Sequence, residues 1–232
     1  MPPETRLNHT LPLLLHIATT ITGLIDATSY LALGHVFTAN MTGNVVFLAF
    51  AVAGVPGLSL MRSLTALVAF LIGALIGGRV ATRLSEVSRP RWVTTALSLE
   101  SALLLVATLA AINFRNSSGN SFQLYSIIVL TALAMGIRNA TVRKMGIADL
   151  TTTVLTLTIT GLAADSRFAG GSSPRWGRRL LAVIVMFVGA AIGTLLLRRS
   201  LALPLATATL LSICCVAISF KQRVALATRA AS

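Results

Sequence analysis

Acidic residues are scarce in this chain, and so are charged residues in general. Six residues of 232 are Asp or Glu, against 19 Lys or Arg, and charged residues make up 11% of the sequence. Hydrophobic residues account for 55%, and the mean hydropathy is +0.85. Such a chain has too little polar surface to cover a soluble globule. The composition therefore predicts an integral membrane protein.

Residues that hold metals or disulfides are also few. Cys214 and Cys215 are adjacent, so on a helix their side chains diverge by about 100° and suit neither a disulfide nor a metal clamp. His9, His16 and His35 form no metal-spaced cluster, and the motifs HExxH and GxSxG are absent. We therefore expect neither an enzyme nor a bound cofactor or metal.

The net charge of +13 would suggest a nucleic-acid partner in a soluble protein. Here the arginines lie between apolar runs, where positive charge marks the cytoplasmic side of a membrane. We therefore expect the protein to associate with the lipid bilayer and not with nucleic acid. Arg175, Arg178 and Arg179 could add an attraction to anionic headgroups, although a topology signal explains these three residues as well.

Apolar runs fill most of the chain. They fall at about 11–34, 38–55, 64–83, 93–113, 123–142, 151–164, 179–198 and 202–220, and a spanning helix needs about 20 residues. The second and sixth runs are short. Eight crossings divide the basic residues into 8 inside and 10 outside, whereas six crossings with two re-entrant segments give 14 inside and 4 outside. The excess of Lys and Arg expected in the cytoplasm favours six crossings of the cytoplasmic (plasma) membrane, with both termini cytoplasmic.

Three motifs occur twice in the same order. Residues 23–28 (GLIDAT) recur as 136–141 (GIRNAT), 38–43 (TANMTG) as 156–161 (TLTITG), and 73–77 (GALIG) as 189–193 (GAAIG), at offsets of 113, 118 and 116 residues. We predict a single membrane domain, 1–232, with repeat A over about 11–113 and repeat B over about 123–220. Three crossings per repeat reverse the chain between copies. The expected fold is an all-α integral membrane protein with six spanning helices in two inverted three-helix repeats, each with a short re-entrant or broken segment.

The two short apolar runs have the composition of segments that interrupt a membrane helix. Eight of the ten residues 151–160 are β-branched, which disfavours helix and favours extended chain. The stretch 36–41 is also a poor helix former, and a half-helix over 42–53 would return the chain to its starting face. Residues 54–57 (GVPG) end this half-helix.

Polar groups cluster at these breaks. Backbone exposed at that depth must line a cavity or be buried in protein, and a half-helix N-terminus carries a partial positive charge that favours an anion. We predict a site for a small polar or anionic solute, with Thr42 close to Thr160. Its residues are Asp26, Thr38, Asn40, Thr42, Gly43, Asn44, Asn139, Thr158, Thr160 and Gly161.

Asp26 and Glu100 are acids inside spanning runs, where a charge costs at least about 2.5–3.5 kcal/mol. Asp26 lies in a repeated motif, so we expect it to couple a proton or to position the break; a structural hydrogen bond between helices is the alternative. For Glu100, functional and structural roles are equally open. Arg138 stands at the repeat position of Ile25, and we expect it to reach the cytoplasm or line the inner cavity mouth rather than pair with Asp26.

These motifs carry a family resemblance. GLIDATSYLALGHVFTANMTGN at 23–44, with GIRNATVRK at 136–144 and TITG at 158–161, resembles the YoaK-type membrane proteins, the family catalogued as domain of unknown function 1275. The resemblance covers nearly the whole chain and implies a multi-spanning membrane protein without implying a substrate. That family usually has Gln at the position of Arg138.

The function predicted is a small transporter or permease for a polar or anionic solute, working by inverted-repeat alternating access. Two alternatives stay open at this point. A channel would share the broken segments, and in a non-transporting membrane partner or assembly protein the polar breaks would merely pack. Two repeats of three helices make a thin wall, which favours a homodimer.

Overall fold

The structure, a computed structural model, describes residues 3–85, 89–112, 114, 121–145, 155–173 and 175–230. Within these ranges all regular secondary structure is helical, with one 3-10 turn at Arg167–Ala169 and no strand. The helices are α1 Pro3–Ala32, α2 Met41–Val52, α3 Leu60–Ser85, α4 Arg89–Ala111, α5 Ser121–Met145, α6 Leu155–Ala164, α7 Trp176–Leu197 and α8 Ala202–Ala230. The all-α prediction is confirmed for the described residues.

Helices of two lengths make up the bundle. By length and composition, α3, α4, α5, α7 and α8 can each cross a membrane. Helices α2 and α6 are apolar but have only 12 and 10 residues, too few to span the hydrocarbon core. Helix α1 has 30 residues, which is more than one crossing needs. These helices define an integral membrane protein.

Four long helices cross each other in two closely packed pairs. Helix α3 packs along α5, and α1 packs along α7. Each crossing has glycines at which a methyl group would overlap a backbone carbonyl of the partner helix: Gly73 at Leu133, Gly136 at Phe70, Gly189 at Thr20 and Gly23 at Met186. One turn further on, Gly77 faces Ile137 and Gly193 faces Leu24. Residue numbers rise together on both helices, so each pair runs parallel.

Helices α4 and α8 pack through a ladder of hydroxyl pairs. The oxygens of Thr94 and Ser219 are 2.8 Å apart, those of Ser101 and Ser212 are 2.7 Å apart, and those of Thr108 and Thr209 are 2.9 Å apart. The numbers rise on α4 as they fall on α8. The two helices therefore run antiparallel.

Glycines in the left-handed conformation end the first two helices. Gly34 (φ 86°) follows α1 and Gly54 (φ 81°) follows α2. The next N–H bonds back to the helix, from His35 to Tyr30 at 3.1 Å and from Val55 to Phe50 at 3.0 Å, which is the Schellman arrangement. The chain leaves α1 through the non-helical residues 33–40, here called the connector, and then forms the half-length α2.

The second short segment differs from the prediction. Helix α6 contains Thr156, Thr158 and Thr160, so the expectation of extended chain is wrong for residues 155–160; residues 151–154 lie outside the described residues. In a membrane every backbone polar group needs a partner. A helix supplies these partners locally, and this requirement outweighs the small loss of helix propensity that β-branched residues cause.

Candidate functional site

Two polar side chains hold the connector. Asp26 of α1 is buried, and its Oδ1 accepts a hydrogen bond from the N–H of Ala39 at 3.1 Å. The amide of Asn44, on α2, accepts a hydrogen bond from the N–H of Phe37 at 2.9 Å and donates one to the Phe37 carbonyl. These contacts satisfy backbone groups that a non-helical chain at this depth could not satisfy by itself.

The start of α2 is not capped by a side chain. Asn40 is the N-cap residue, and its side chain makes no capping hydrogen bond. Asn40 and Thr42 are both exposed. The first N–H groups of a helix lack partners within the helix and carry a partial positive charge. This N-terminus can therefore donate hydrogen bonds to whatever occupies the space in front of it.

A cavity of about 510 Å³, here called the basic cavity, lies on one side of this N-terminus. It is lined by Asn40 and Thr42, by α3, and by Asn139, Arg143 and Lys144 of α5. Asn139 donates a hydrogen bond to the Met135 carbonyl at 2.8 Å, and its buried Oδ1 has no hydrogen-bond partner among the described residues. Among the described residues, two cations and no acid line this cavity, so it suits an anion.

A second cavity, of about 490 Å³, lies on the other side and is here called the Asp26 cavity. Thr22 and Asp26 of α1 line it, together with Thr156 of α6 and Met186 of α7. Ala39, Asn40 and Thr42 line this cavity as well as the basic one. The short segment 39–42 therefore separates the two cavities.

The predicted site residues are distributed over several places. Asp26, Asn40, Thr42 and Gly43 meet in the Asp26 cavity, and Asn139 lies in the basic cavity. Thr38 and Asn44 are buried behind these surfaces. A methyl group on Gly43 would lie 2.7 Å from the Phe37 ring, so Gly43 permits close packing of the connector.

The residues predicted from the second repeat lie elsewhere. Thr158, Thr160 and Gly161 line neither of the two cavities. Thr158 is buried, and the Gly161 carbonyl accepts a hydrogen bond from Arg179 at 2.7 Å. Thr156, rather than Thr160, shares a cavity with Thr42. The repeat alignment carried the signal for Thr156, because it places this residue opposite Thr38.

A buried ion pair lies behind the Asp26 cavity. Arg138 Nε donates to Glu100 Oε2 at 3.0 Å, and a second guanidinium nitrogen pairs with Glu100 Oε1. Oε1 also accepts a hydrogen bond from Ser212 at 2.9 Å. Arg138 donates to the Ala18 carbonyl at 2.9 Å and lies 3.5 Å from the hydroxyl of Thr22. The ion pair thus joins α1, α4, α5 and α8.

The expected location of Arg138 is therefore wrong. This side chain is 3% exposed and points to Glu100 instead of the cytoplasm. A buried charge needs a partner of opposite sign. Glu100 and Arg138 lie in neighbouring spanning runs, and this pattern could have predicted the pair from the sequence.

An aromatic cluster covers the connector where α1 ends. Tyr30 stacks on Phe37 with ring centroids 5.2 Å apart, and Phe37 stacks on Phe47 at 5.6 Å. His35 meets Tyr30 edge-on at 5.2 Å. Such ring pairs are favourable beyond the area that they bury, so the cluster fixes the connector between α1 and α2.

The fold and the site together define an all-helical integral membrane protein with two half-length helices and a polar site at the start of one of them. The profile of a family described as "Protein of unknown function (DUF1275)" matches residues 14–218. The chain belongs to this family, as its motifs predicted. It is similar to the UPF0700 transmembrane protein YoaK of Bacillus subtilis (strain 168), with 38% identity over 143 residues, which are 62% of this chain and 61% of the relative. No solved structure matches.

Proposed function

We propose that the protein is a secondary transporter that carries a small polar or anionic solute across the cytoplasmic membrane by alternating access of two inverted repeats. One observation carries the proposal. The uncapped N-terminus of α2 lies between a cavity lined by Arg143 and Lys144 and a cavity lined by Asp26. Helix N-termini bind anions through their N–H groups, and broken helices at a midplane site are typical of secondary transporters.

The glycine contacts support the repeat. The repeat offset is 113 residues between α1 and α5 and 116 residues between α3 and α7. With these offsets, the contact of Gly73 with Leu133 corresponds to that of Gly189 with Thr20. The contact of Gly136 with Phe70 corresponds to that of Gly23 with Met186. The same contact between helices therefore occurs twice, and each time it joins one helix of repeat A to one helix of repeat B. Such exchanged packing is expected when two halves are related by a pseudo-twofold axis.

The antiparallel packing of α4 and α8 supports six crossings and an inverted repeat. Helices α5, α6 and α7 lie between them in the chain. If all three crossed the membrane, α8 would run in the same direction as α4, contrary to the hydroxyl ladder. The ladder agrees with crossings by α5 and α7 and with an α6 that enters and returns. With α1 as a sixth crossing, the charge distribution puts both termini in the cytoplasm.

The cavities suggest which way the site is open. The basic cavity extends from the start of α2 to Arg143 and Lys144 in the last turn of α5, the end that the charge distribution assigns to the cytoplasm. The aromatic cluster of Tyr30, Phe37 and Phe47 covers the connector at the opposite end of α1. We assign this arrangement to the inward-open state, in which the segment 39–42 is the gate between the cavities.

Asp26 is the residue that couples the gate to a proton in this proposal. Its carboxylate holds the N–H of Ala39, and no other titratable side chain among the described residues lines the Asp26 cavity. A carboxylate accepts a stronger hydrogen bond than a neutral acid does. Protonation of Asp26 would therefore loosen the gate.

Uptake into liposomes tests the proposal. The purified protein is reconstituted and assayed with a panel of radiolabelled small anions and neutral polar metabolites, under a proton gradient and without one. We expect saturable uptake of at least one anion. Thr42→Val should weaken uptake at limiting solute roughly tenfold or more, because a hydrogen bond to a charged group contributes about 1.5–3 kcal/mol. Thr207→Val, which alters a threonine bonded only to its own helix at Leu203, should leave uptake unchanged.

The same assay examines Asp26. Asp26→Asn should leave the protein folded, since Asn139 stands at the equivalent position of the second repeat, and should abolish the dependence of uptake on the proton gradient. Unchanged pH dependence combined with a lower unfolding temperature would make Asp26 purely structural. Flux that rises linearly with solute concentration would identify a channel, and absence of flux across the panel would favour a membrane partner without transport.

A further inference from the structure

The segment between α6 and α7 exposes two aromatic side chains. Phe168 is fully exposed, and Trp176 is 53% exposed. Trp176 is the first residue of α7, a helix long and apolar enough to span the membrane. The end of such a helix lies at headgroup level, where tryptophan is favoured. These side chains are therefore positioned at the membrane surface.

A cavity of about 830 Å³ lies beside these rings. Ser166, Ser172 and Ser173 line it together with Arg167. Hydroxyl donors and a guanidinium are the groups that bind a phosphate diester, while Phe168 and Trp176 add apolar walls. This combination suits a ligand that has both a phosphate and acyl chains.

The loop around this cavity is held in a defined shape. The N–H of Gly171 bonds to the Ser166 carbonyl at 2.9 Å, and the N–H of Ser173 bonds to the Asp165 carbonyl at 2.8 Å. The N–H of Arg167 donates to the Ser173 hydroxyl at 3.2 Å. These bonds close the loop upon itself, so the site needs little ordering when a ligand binds.

The electrostatics of the loop are positive. Arg167 and Arg175 are exposed and Arg178 is half-buried. Among the described residues of this segment the acid is Asp165. It pairs with Arg179 at 2.6 Å. The local excess of guanidinium groups attracts anionic lipids at a membrane surface.

We propose that this loop, residues 165–173 with Arg175 and Trp176, binds the headgroup of an anionic phospholipid. The phosphate contacts Arg167 and the serine hydroxyls, and the first carbons of the acyl chains lie against Phe168 and Trp176. This site is separate from the two cavities at α2 and does not depend on transport.

The two tryptophans of the chain provide the test. In Trp92→Phe, only Trp176 fluoresces; in Trp176→Phe, only Trp92 does, and Trp92 is 5% exposed. Each variant is placed in phosphatidylcholine nanodiscs that contain the same fraction of either brominated phosphatidylglycerol or brominated phosphatidylcholine. We expect at least twofold stronger quenching of Trp176 by the anionic lipid, and equal quenching of Trp92 by both lipids.

Two further measurements identify the groups that recognise the lipid. Adding Arg167→Gln and Arg175→Gln to the Trp92→Phe protein should remove the preference for the anionic lipid, and the thermal unfolding transition shows that the variant is folded. Millimolar inorganic phosphate should leave the preference in place. Equal quenching of Trp176 by both lipids would overturn the proposal, as would a preference that survives the arginine substitutions or that phosphate abolishes.

Discussion

Loss of one member of the buried pair Glu100 and Arg138 is expected to destabilise the whole helix bundle. Glu100 lies midway along α4, about 16 Å from each end, so its carboxylate is as far from water as the helix allows. Its partners come from two other helices, Arg138 from α5 and Ser212 from α8. Removing one charge would leave the other buried without a partner, and this lowers stability more than replacing both charges does.

We predict that Glu100→Gln lowers the free energy of unfolding by about 3–5 kcal/mol, because the Arg138 charge stays buried. The double variant Glu100→Gln, Arg138→Met should recover most of this loss, since it removes both charges and keeps the volume. Unfolding curves of the two variants in detergent provide the comparison. A double variant as unstable as the single one would show that the hydrogen bonds, rather than the charge balance, stabilise the bundle.

The sequence identifies both buried acids at the residue scale, but not their partners. Asp26 lies at the break, as its repeated motif suggests, while Arg138 points away from the place that its position in α5 indicates. Helical spacing gives the height of a residue along its own helix. It does not give the rotation of that helix relative to its neighbours, and this rotation brings Arg138 to Glu100.

At the scale of helices, the glycine crossings allow a matched experiment on one helix. Gly73→Ala on α3 would drive a methyl group into the Leu133 carbonyl, whereas a methyl group at Gly78 has nothing within 4 Å. We predict that Gly73→Ala costs about 1–3 kcal/mol by overpacking, and that Gly78→Ala is neutral or stabilising by up to about 1 kcal/mol.

Gly189→Ala, at the repeat position of Gly73, should have the same effect as Gly73→Ala, because its methyl group would meet the Thr20 carbonyl. Thermal unfolding in detergent measures all three variants. Tolerance of Gly73→Ala would mean that α3 and α5 can separate without loss of stability.

The short helices show where sequence patterns succeed and where they fail. Helix α2 agrees with the predicted half-helix to within one residue at each end, since glycine chemistry at Gly54 and polar residues at 38–44 define both ends locally. Helix α6 does not follow its β-branched composition, because the demand for backbone hydrogen bonds in a membrane depends on the surroundings and not on the local sequence.

At the scale of the whole molecule, the number of crossings decides on which side each loop lies. With Cys214 and Cys215 replaced by alanine, single cysteines at Arg83, Arg143, Arg178 and Arg223 should react with a membrane-impermeant thiol reagent only from the cytoplasm. Cysteines at Arg62 and Arg115, the latter outside the described residues, should react only from the other side. Labelling of position 178 on the face opposite to position 83 would restore eight crossings.

The predicted site was symmetric, whereas the observed one is not. Residues of the first repeat line both cavities at α2, but Thr158, Thr160 and Gly161 line neither. A repeat in the sequence cannot reveal this difference, because two similar segments can pack against different neighbours in one conformation. The homodimer suggested by the thin wall stays a prediction.

The exchanged packing of the two crossings has a consequence for how the chain is made. Helix α5 follows α3 by about 60 residues, whereas α1 has to wait for α7, since Thr20 contacts Gly189. At about 5–20 residues per second, the nascent α1 spends roughly 10–30 s without the neighbour that covers its crossing face. The hydroxyl groups of Thr19, Thr20 and Thr22 are satisfied by carbonyls of the same helix during that time. Packing of α1 against α7 should therefore be completed later in biogenesis than packing of α3 against α5.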